Sequence, residues 1–382
     1  MSVTTGTLPI AAPAPAAADR YAQATQLQLT WWRFRKHKLA LASLVIVTLF
    51  YGVAVFADFL AISEPHATDA RRSYIPPQAI HISHGIGQHG APFLSVSGLK
   101  GVRDPKTFKL AYTPDPARKL HVVLFAHGYP YALFGLIPAD IHLLGLKGAG
   151  PADGIFLLGT DQLGRDLYSR LMVATRTSLS IGLAGVTLSL VLGVLLGGLS
   201  GLYGGFVDMG IQRVIEVVRS IPTIPLWMAL AAALPNTWSV TEVYLAITVI
   251  ISLVGWTDLA RVVRGRFLAL REEDFVIAAE LAGASRMRII LRHMLPSFAS
   301  HVIAATSLAL PSMIVSETSL SFLGLGLRPP AISWGILLQD AQNVQVLAGA
   351  PWLLLAAIPV IFVILAFNFL GDGLRDAADP YG

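Results

Sequence analysis

The chain has 382 residues, of which 54% are hydrophobic and only 13% charged, against roughly 25% charged in an average soluble domain. That composition excludes an ordinary soluble enzyme and describes a protein whose solvent is largely lipid. The formal net charge of +5 does not mark a nucleic-acid binder, because the basic residues are dispersed between apolar runs like topology signals. The absence of cysteine excludes disulfides, a thiolate nucleophile, cysteine-ligated zinc and lipidation at cysteine.

Residues 1–30 are rich in Ala, Pro and Thr and lack the basic start and early apolar core of a cleaved signal peptide. They are predicted to be a disordered cytoplasmic tail. Arg33, Arg35, Lys36 and Lys38 then precede an apolar run ending near residue 62, so 31–62 is predicted to be a retained membrane anchor helix. Residues 63–158 are polar, with many Pro and Gly residues. Within them VRDPKTFKLAYTPD and KLHVVLFAHGYPYALFG hold short β-like runs separated by turn signals, and a small strand-rich lobe packed on the outer mouth is predicted there. Further apolar runs lie at 178–202, after GLYGG from 206, and near 241–260, 297–316 and 351–371. Runs of about 20 residues suffice for about 30 Å of hydrocarbon. The expected fold is an all-α polytopic membrane protein of six transmembrane helices. A β-containing lobe stands between helices one and two, a five-helix core occupies 159–376, and 377–382 form a second tail.

Orientation follows from Lys and Arg in short loops. Arg261, Arg264, Arg266, Arg271, Arg286, Arg288 and Arg292 fall between helices four and five, and Arg213 and Arg219 near the turn between two and three. PNTWSV has no basic residue, and the loop before helix six has only Arg328. Both termini are therefore expected in the cytoplasm and 63–158 outside.

Gly193, Gly197 and Gly201 recur every fourth residue in helix two, spacing that lets helices approach closely in lipid. Helix three opens with a polar stripe of Asp208, Gln212, Arg213, Glu216 and Arg219, for which an interfacial or intersubunit network and a gate both fit. Pro222 and Pro225 are expected to kink or interrupt that helix.

The stretch FVIAAELAGASRMRIILRHMLPS, 275–297, sets a polar and basic insert between apolar runs. Glu272, Glu273 and Asp274 favour a helix start, Gly283 a left-handed stop, and Ser285 a second cap. A helix, sharp turn and helix at the cytoplasmic surface are predicted. The first limb, with Ala278, Ala279 and Glu280, is apolar enough to dock in a partner's groove. The second, with Ala284, Arg288 and His293, is basic enough to meet lipid headgroups.

The pattern AA-x3-G-x9-H-x-LP made by Ala278, Ala279, Gly283, His293, Leu295 and Pro296 resembles the "EAA" loop of ABC importer permeases. Ile277 stands where that loop has its glutamate, with Glu280 one turn later. LLGTDQLGRDLYSRLMVATRTSLSIGL, ETSLSFLGLGLRPPAISWG and FNFLGDGLRDAADP are similar to stretches of the C-type subunits of dipeptide, oligopeptide and nickel permeases. The resemblance implies a type I ABC importer core whose 271–296 loop lodges in a cytoplasmic ATPase. It also implies a homologous second permease subunit, two ATPase subunits and a periplasmic substrate-binding protein. Peptides are the leading cargo, with opines, oligosaccharides and nickel on the same scaffold.

In GTDQLGRD, Gly159 and Gly164 permit tight turns, and Thr160 and Asp161 lie at the turn. Asp161 is a candidate cap for the following helix, and Arg165 and Asp166 are free to pair. A structural clasp at the outer mouth and direct substrate contact both fit. VVLFAHGYP suggests an α/β-hydrolase strand, but the chain has no G-x-S-x-G elbow. Seven of ten histidines, His66, His81, His84, His89, His121, His127 and His142, fall in 63–158 without the spacing of a metal site, so no metal or cofactor is expected. No G-x4-G-K-[ST] occurs, so any ATP is bound elsewhere and no catalytic residue is assigned. An ion-gradient transporter is the competing class. It predicts inverted repeats and ionisable residues near the midplane.

Overall fold

The computed structural model describes residues 26–84, 92–103, 110–148, 150 and 153–378. Most of the two expected tails, and His89, lie outside the described residues. The first element already departs from expectation. Helix α1, Gln26–Phe34, starts inside the stretch assigned to the tail. It is held because Phe34, 2% exposed, joins the main apolar core, and Trp31 stacks on Phe34 with ring centroids 5.7 Å apart. The single anchor helix expected over 31–62 is instead three pieces: α1, α2 (Lys38–Val55) and α3 (Ala57–Leu60). The basic run ends α1, and His37 restarts the chain by accepting from the Ala40 amide at 3.1 Å.

The lobe expected within 63–158 is an antiparallel meander of β1 (Ile80–His84), β2 (Pro92–Arg103), β3 (Leu110–Leu133) and β4 (Ile137–Leu146), paired in chain order. The 24-residue β3 pairs with β2 through its first half and with β4 through its second. A small core of Val96, Val122 and Ile155 closes one face. The lobe rests on α3, where the buried His142 faces the Asp58 carbonyl through Nδ1 and the Tyr129 carbonyl through Nε2, each at 3.0 Å.

The helical core is built on α4 (Leu167–Tyr203) and α7 (Val240–Leu270). Between them run α5 (Gly205–Ser220) and α6 (Thr223–Ala232), and after them the short α8 (Asp274–Leu281) and α9 (Arg286–Arg288). A π-helical turn, Ile289–Met294, leads to α10 (Leu295–Ser297) and then α11 (Ala299–Phe322), α12 (Trp334–Asp340), α13 (Val344–Gly349) and α14 (Ala357–Ala378). Among the described residues five helices are long and apolar enough to cross a membrane. The remaining expected span is the pair α5 and α6, bent by 87°. Pro222 and Pro225 explain the break, because neither can donate to a continuing helix ladder.

The glycines of α4 form the seam with α7. A Cβ built on Gly197 would stand 2.5 Å from the Ala260 carbonyl oxygen, and one on Gly201 would stand 2.9 Å from that of Arg264. The backbones therefore meet with no room for a methyl group. Where water exclusion gives no drive between helices, this packing is the main attraction.

Gly197→Ala is expected to destabilise the detergent-solubilised chain by about 1–3 kcal/mol, the usual cost of overpacking. Gly210→Ala, whose Cβ would meet nothing within 4 Å, should be neutral or slightly stabilising. Thermal unfolding of the two variants checks the contrast.

Candidate functional site

In α8, Val276 and Ala279 turn inward while Phe275, Ile277, Ala278 and Glu280 are exposed. The helix ends in paired bonds characteristic of a left-handed stop: Gly283 N–H donates to the Glu280 carbonyl at 2.9 Å and Ala284 N–H to that of Ala279 at 3.0 Å. Gly283 has φ +77°, and a Cβ there would meet nothing within 4 Å. Its glycine is set by backbone conformation and not by space. Ser285 accepts from the Arg288 amide at 3.4 Å and starts the second limb. Arg286 pairs across the bend with Glu280 and lies 5.7 Å over the Tyr203 ring.

The π-helical turn is where the second limb differs from a regular helix. Its wider winding buries Ile289, Ile290 and Met294 together, each at 0% exposure. They join Val276 and Ala279 in a core with Val263 and Phe267 of α7 and Val194 and Leu202 of α4. Ile290 approaches within 3.2 Å of where a Cβ on Gly198 would stand. One face of the loop is thus continuous with the glycine seam. The other presents Ile277, Leu281 (84% exposed) and Met287 outward. Ile277, at the place of the family's glutamate, belongs to this outer face, and Glu280 is engaged by Arg286. Arg288 and Pro296 are exposed, whereas His293 and Leu295 are half-buried. Beside the loop, Asp208 accepts from Arg264 Nε and Nη2 at 2.5 Å each and from Ser200 Oγ at 2.5 Å, joining α5, α7 and α4. Of the polar stripe, Gln212 reaches Ser200, Arg213 pairs with Glu216, and Arg219 pairs with Asp258.

At the other end of α4 the residues of GTDQLGRD lie together, in roles that differ from those expected. Asp161 does not cap the helix. Its carboxylate accepts from the Leu163 and Arg165 amides at 2.9 and 3.0 Å, from Arg165 Nε at 2.7 Å, and from Arg170 Nη1. The tight turn at Gly164, φ +73°, folds these donors back onto it. Asp166 is the cap, accepting from the Ser169 amide at 2.8 Å. Ser169 Oγ in turn takes the Ile62 and Ser63 amides. Thr160 accepts from the Ile75 amide, donates to the Arg72 carbonyl, and receives Trp352 Nε1 on its own carbonyl. Gly159, φ +77°, lies under the same indole.

Sequence reasoning passed over Arg170, 1% exposed and shared between Asp161 and Asp340. It also passed over the Arg176–Asp58 pair and Glu317. Glu317 is fully buried, accepting from Ser178 at 2.9 Å and Ser321 at 2.8 Å. Ser178 also accepts the Trp334 amide, which ties α11 and α12 to α4. The available signal was an ionisable residue inside an apolar run. An open cleft of ≈ 800 Å³ lies beside this network, lined among others by Arg176, Ser180, Val240, Tyr244 and Pro330. Among the described residues no group of three or more His, Cys, Asp or Glu could hold a metal ion.

Residues 190–381 match the family described as binding-protein-dependent transport system inner membrane component. Residues 25–77 match the N-terminal TM domain of oligopeptide transport permease C. An oligopeptide transport system permease protein of Haemophilus influenzae is 39% identical over 62% of this chain and 73% of its own length. A dipeptide transport system permease protein of Alkalihalophilus pseudofirmus is 37% identical over 58% of this chain and 71% of its own. An oligopeptide transport system permease protein of Bacillus subtilis is 33% identical over 66% and 77%.

Burial pushes the Asp166 carboxyl up to about 6 despite its serine donors, and its Oδ1 has no partner among the described residues. A raised carboxyl binds its proton more tightly folded than unfolded. Its ionisation therefore destabilises the fold increasingly from about pH 4 to 6, and the cost is relieved as pH falls through that window. At 1.36 kcal/mol per unit the effect is about 3 kcal/mol at most. Asp166→Asn should flatten the dependence of Tm on pH between 7 and 4, which thermal unfolding across that range measures.

Proposed function

The chain belongs to the family of binding-protein-dependent transport system inner membrane components, and on that premise we propose that it is one permease subunit of an ATP-driven importer of di- or oligopeptides. Peptide cargo is supported by the names of its relatives in three bacteria. In this reading the chain supplies half of the translocation path in the bacterial inner membrane. A homologous permease supplies the other half, two cytoplasmic ATPase subunits hydrolyse ATP, and a periplasmic binding protein delivers cargo. Both termini and the 271–296 loop are cytoplasmic, and residues 63–158 are periplasmic.

The observation that carries the reading is the two-faced loop. Its inner face, Ile289, Ile290 and Met294, is buried against the two longest helices, while Leu281 and Ile277 stand exposed on the other. An exposed apolar ridge on a rigidly seated helix suits a groove in a soluble partner. Closure of that partner would move α8, the π-helical turn and the lower halves of α4 and α7 together. The coupling free energy belongs to the ordinary allosteric range of about 1–3 kcal/mol.

Reconstituted with its partner subunits, the wild type should show ATPase activity that rises when loaded binding protein is added. Leu281→Asp, at an 84% exposed site, should leave insertion intact and reduce that stimulation at least ~5-fold. Gly283→Pro, which cannot adopt φ +77°, should do the same. Uptake by wild type with no ATPase present would contradict the proposal and favour a gradient-driven carrier.

A further inference from the structure

The β3–β4 hairpin ends in an uncharged tip in which Gly135, φ +70°, suits the tight turn, while Phe134 and Leu136 are apolar and exposed. Leu133 pairs with Ile137 across a loop of Phe134, Gly135 and Leu136. Turns at such positions favour Gly, Asn, Asp and Ser. Here Phe134 is held at φ +57°, and Phe125 further up the same strand at φ +55°. Bulky residues rarely adopt this left-handed conformation. Both rings are largely exposed, Phe134 at 57% and Phe125 at 64%, and Leu136 at the tip is 84% exposed. Strained, water-exposed aromatic side chains call for a function outside the lobe.

Their neighbours indicate which. The Phe134 ring lies 6.2 Å from that of Phe56, and the Phe125 ring 6.1 Å from that of Phe59. Phe56 directly follows α2, whose Val45, Leu49 and Val55 are exposed. Only 22% of the apolar window of α2 is buried, against 44% in each of the other four candidate spans. Its bare side is therefore the most exposed apolar surface among them, and the hairpin tip continues it beyond Phe56. Charge is distributed along the lobe in the same sense. Residues 128–139 carry none, whereas the β2–β3 end holds Lys100, Asp115, Arg118 and Lys119. Tyr129 and Tyr131 stand just above the tip with ring centroids 6.3 Å apart, the residue type enriched where a membrane surface meets water.

We propose that the β3–β4 tip, Leu133–Ile137, inserts into the outer leaflet beside α2 and anchors the lobe to the bilayer. The occupant of the patch is acyl chain, and the lobe is held at two points: by α3 at its base and by lipid at its tip.

The chain has no cysteine, so a single Leu136→Cys variant can be labelled with an environment-sensitive fluorophore in the full chain. Ala117→Cys, at the charged end of the lobe, serves as the control. In phosphatidylcholine nanodiscs the label at 136 should be blue-shifted and quenched at least ~2-fold more than the control by nitroxide placed on the acyl chains. Phe134→Gly, which suits the turn conformation, should leave lobe folding unchanged yet weaken that quenching. Equal reaction of both cysteines with an impermeant maleimide, with no quenching by lipid nitroxide, would overturn the proposal. So would shielding of position 136 only when loaded binding protein is added. Neither outcome bears on ATPase coupling, which is read at the opposite end of the molecule.

Discussion

Everything in the helical core depends on how closely α4 approaches α7. At Gly197 and Gly201 the two backbones touch, and that contact sets the geometry at both ends of a 37-residue helix. Outward from the seam, α4 delivers Arg170 to Asp161 and Asp340, Arg176 to Asp58, and Ser178 to Glu317. Inward, the same rotation places Gly198 against Ile290 and Ser200 against Asp208. In lipid, where apolar surfaces gain nothing by leaving the solvent, such interlocking does the work that hydrophobic burial does in water.

The charged groups follow from the seam. An ionised side chain in a low-dielectric interior is costly unless paired and hydrogen-bonded. Asp161 meets that condition with two backbone amides and two guanidinium groups, and Asp208 with a bidentate arginine and a serine. The first network fastens the start of α4, the second the α5 end beside the exposed loop. Between them the closest backbone approaches of α4 and α7 are at glycines, flanked by packed aliphatic side chains. That arrangement suits a body that tilts as a unit and does not deform along its length.

Legibility in the sequence followed the range of the interaction. The kink of α5 and α6, the left-handed stop at Gly283 and the glycine seam are local or periodic features, and Pro222, Gly283 and the Gly193–Gly197–Gly201 spacing announced them. The start of α1 was not readable, because Phe34 is ordered by α14, a helix more than 300 residues later in the chain. The exchange of roles between Asp161 and Asp166 escaped for the same reason. Both are acidic residues near a helix start, and the turn at Gly164, with Arg170 held between Asp161 and the distant Asp340, decides which one caps. The π-helical turn has no residue pattern of its own. It results from Ile289, Ile290 and Met294 being drawn into one core together.

The central claim is that the loop and the two long helices move as one body. It is tested most directly by pulsed electron-spin distance measurement in the assembled transporter, between a label on Arg292, exposed on the π-helical turn, and one on Thr241 at the far end of α7. The account predicts that this distance stays the same with and without ATP. The distance from Thr241 to the matching helix of the second permease should change. A change in the Arg292–Thr241 distance while the Thr241 ends stay fixed would show that the loop moves on its own, and the seam would then not be the element that transmits closure.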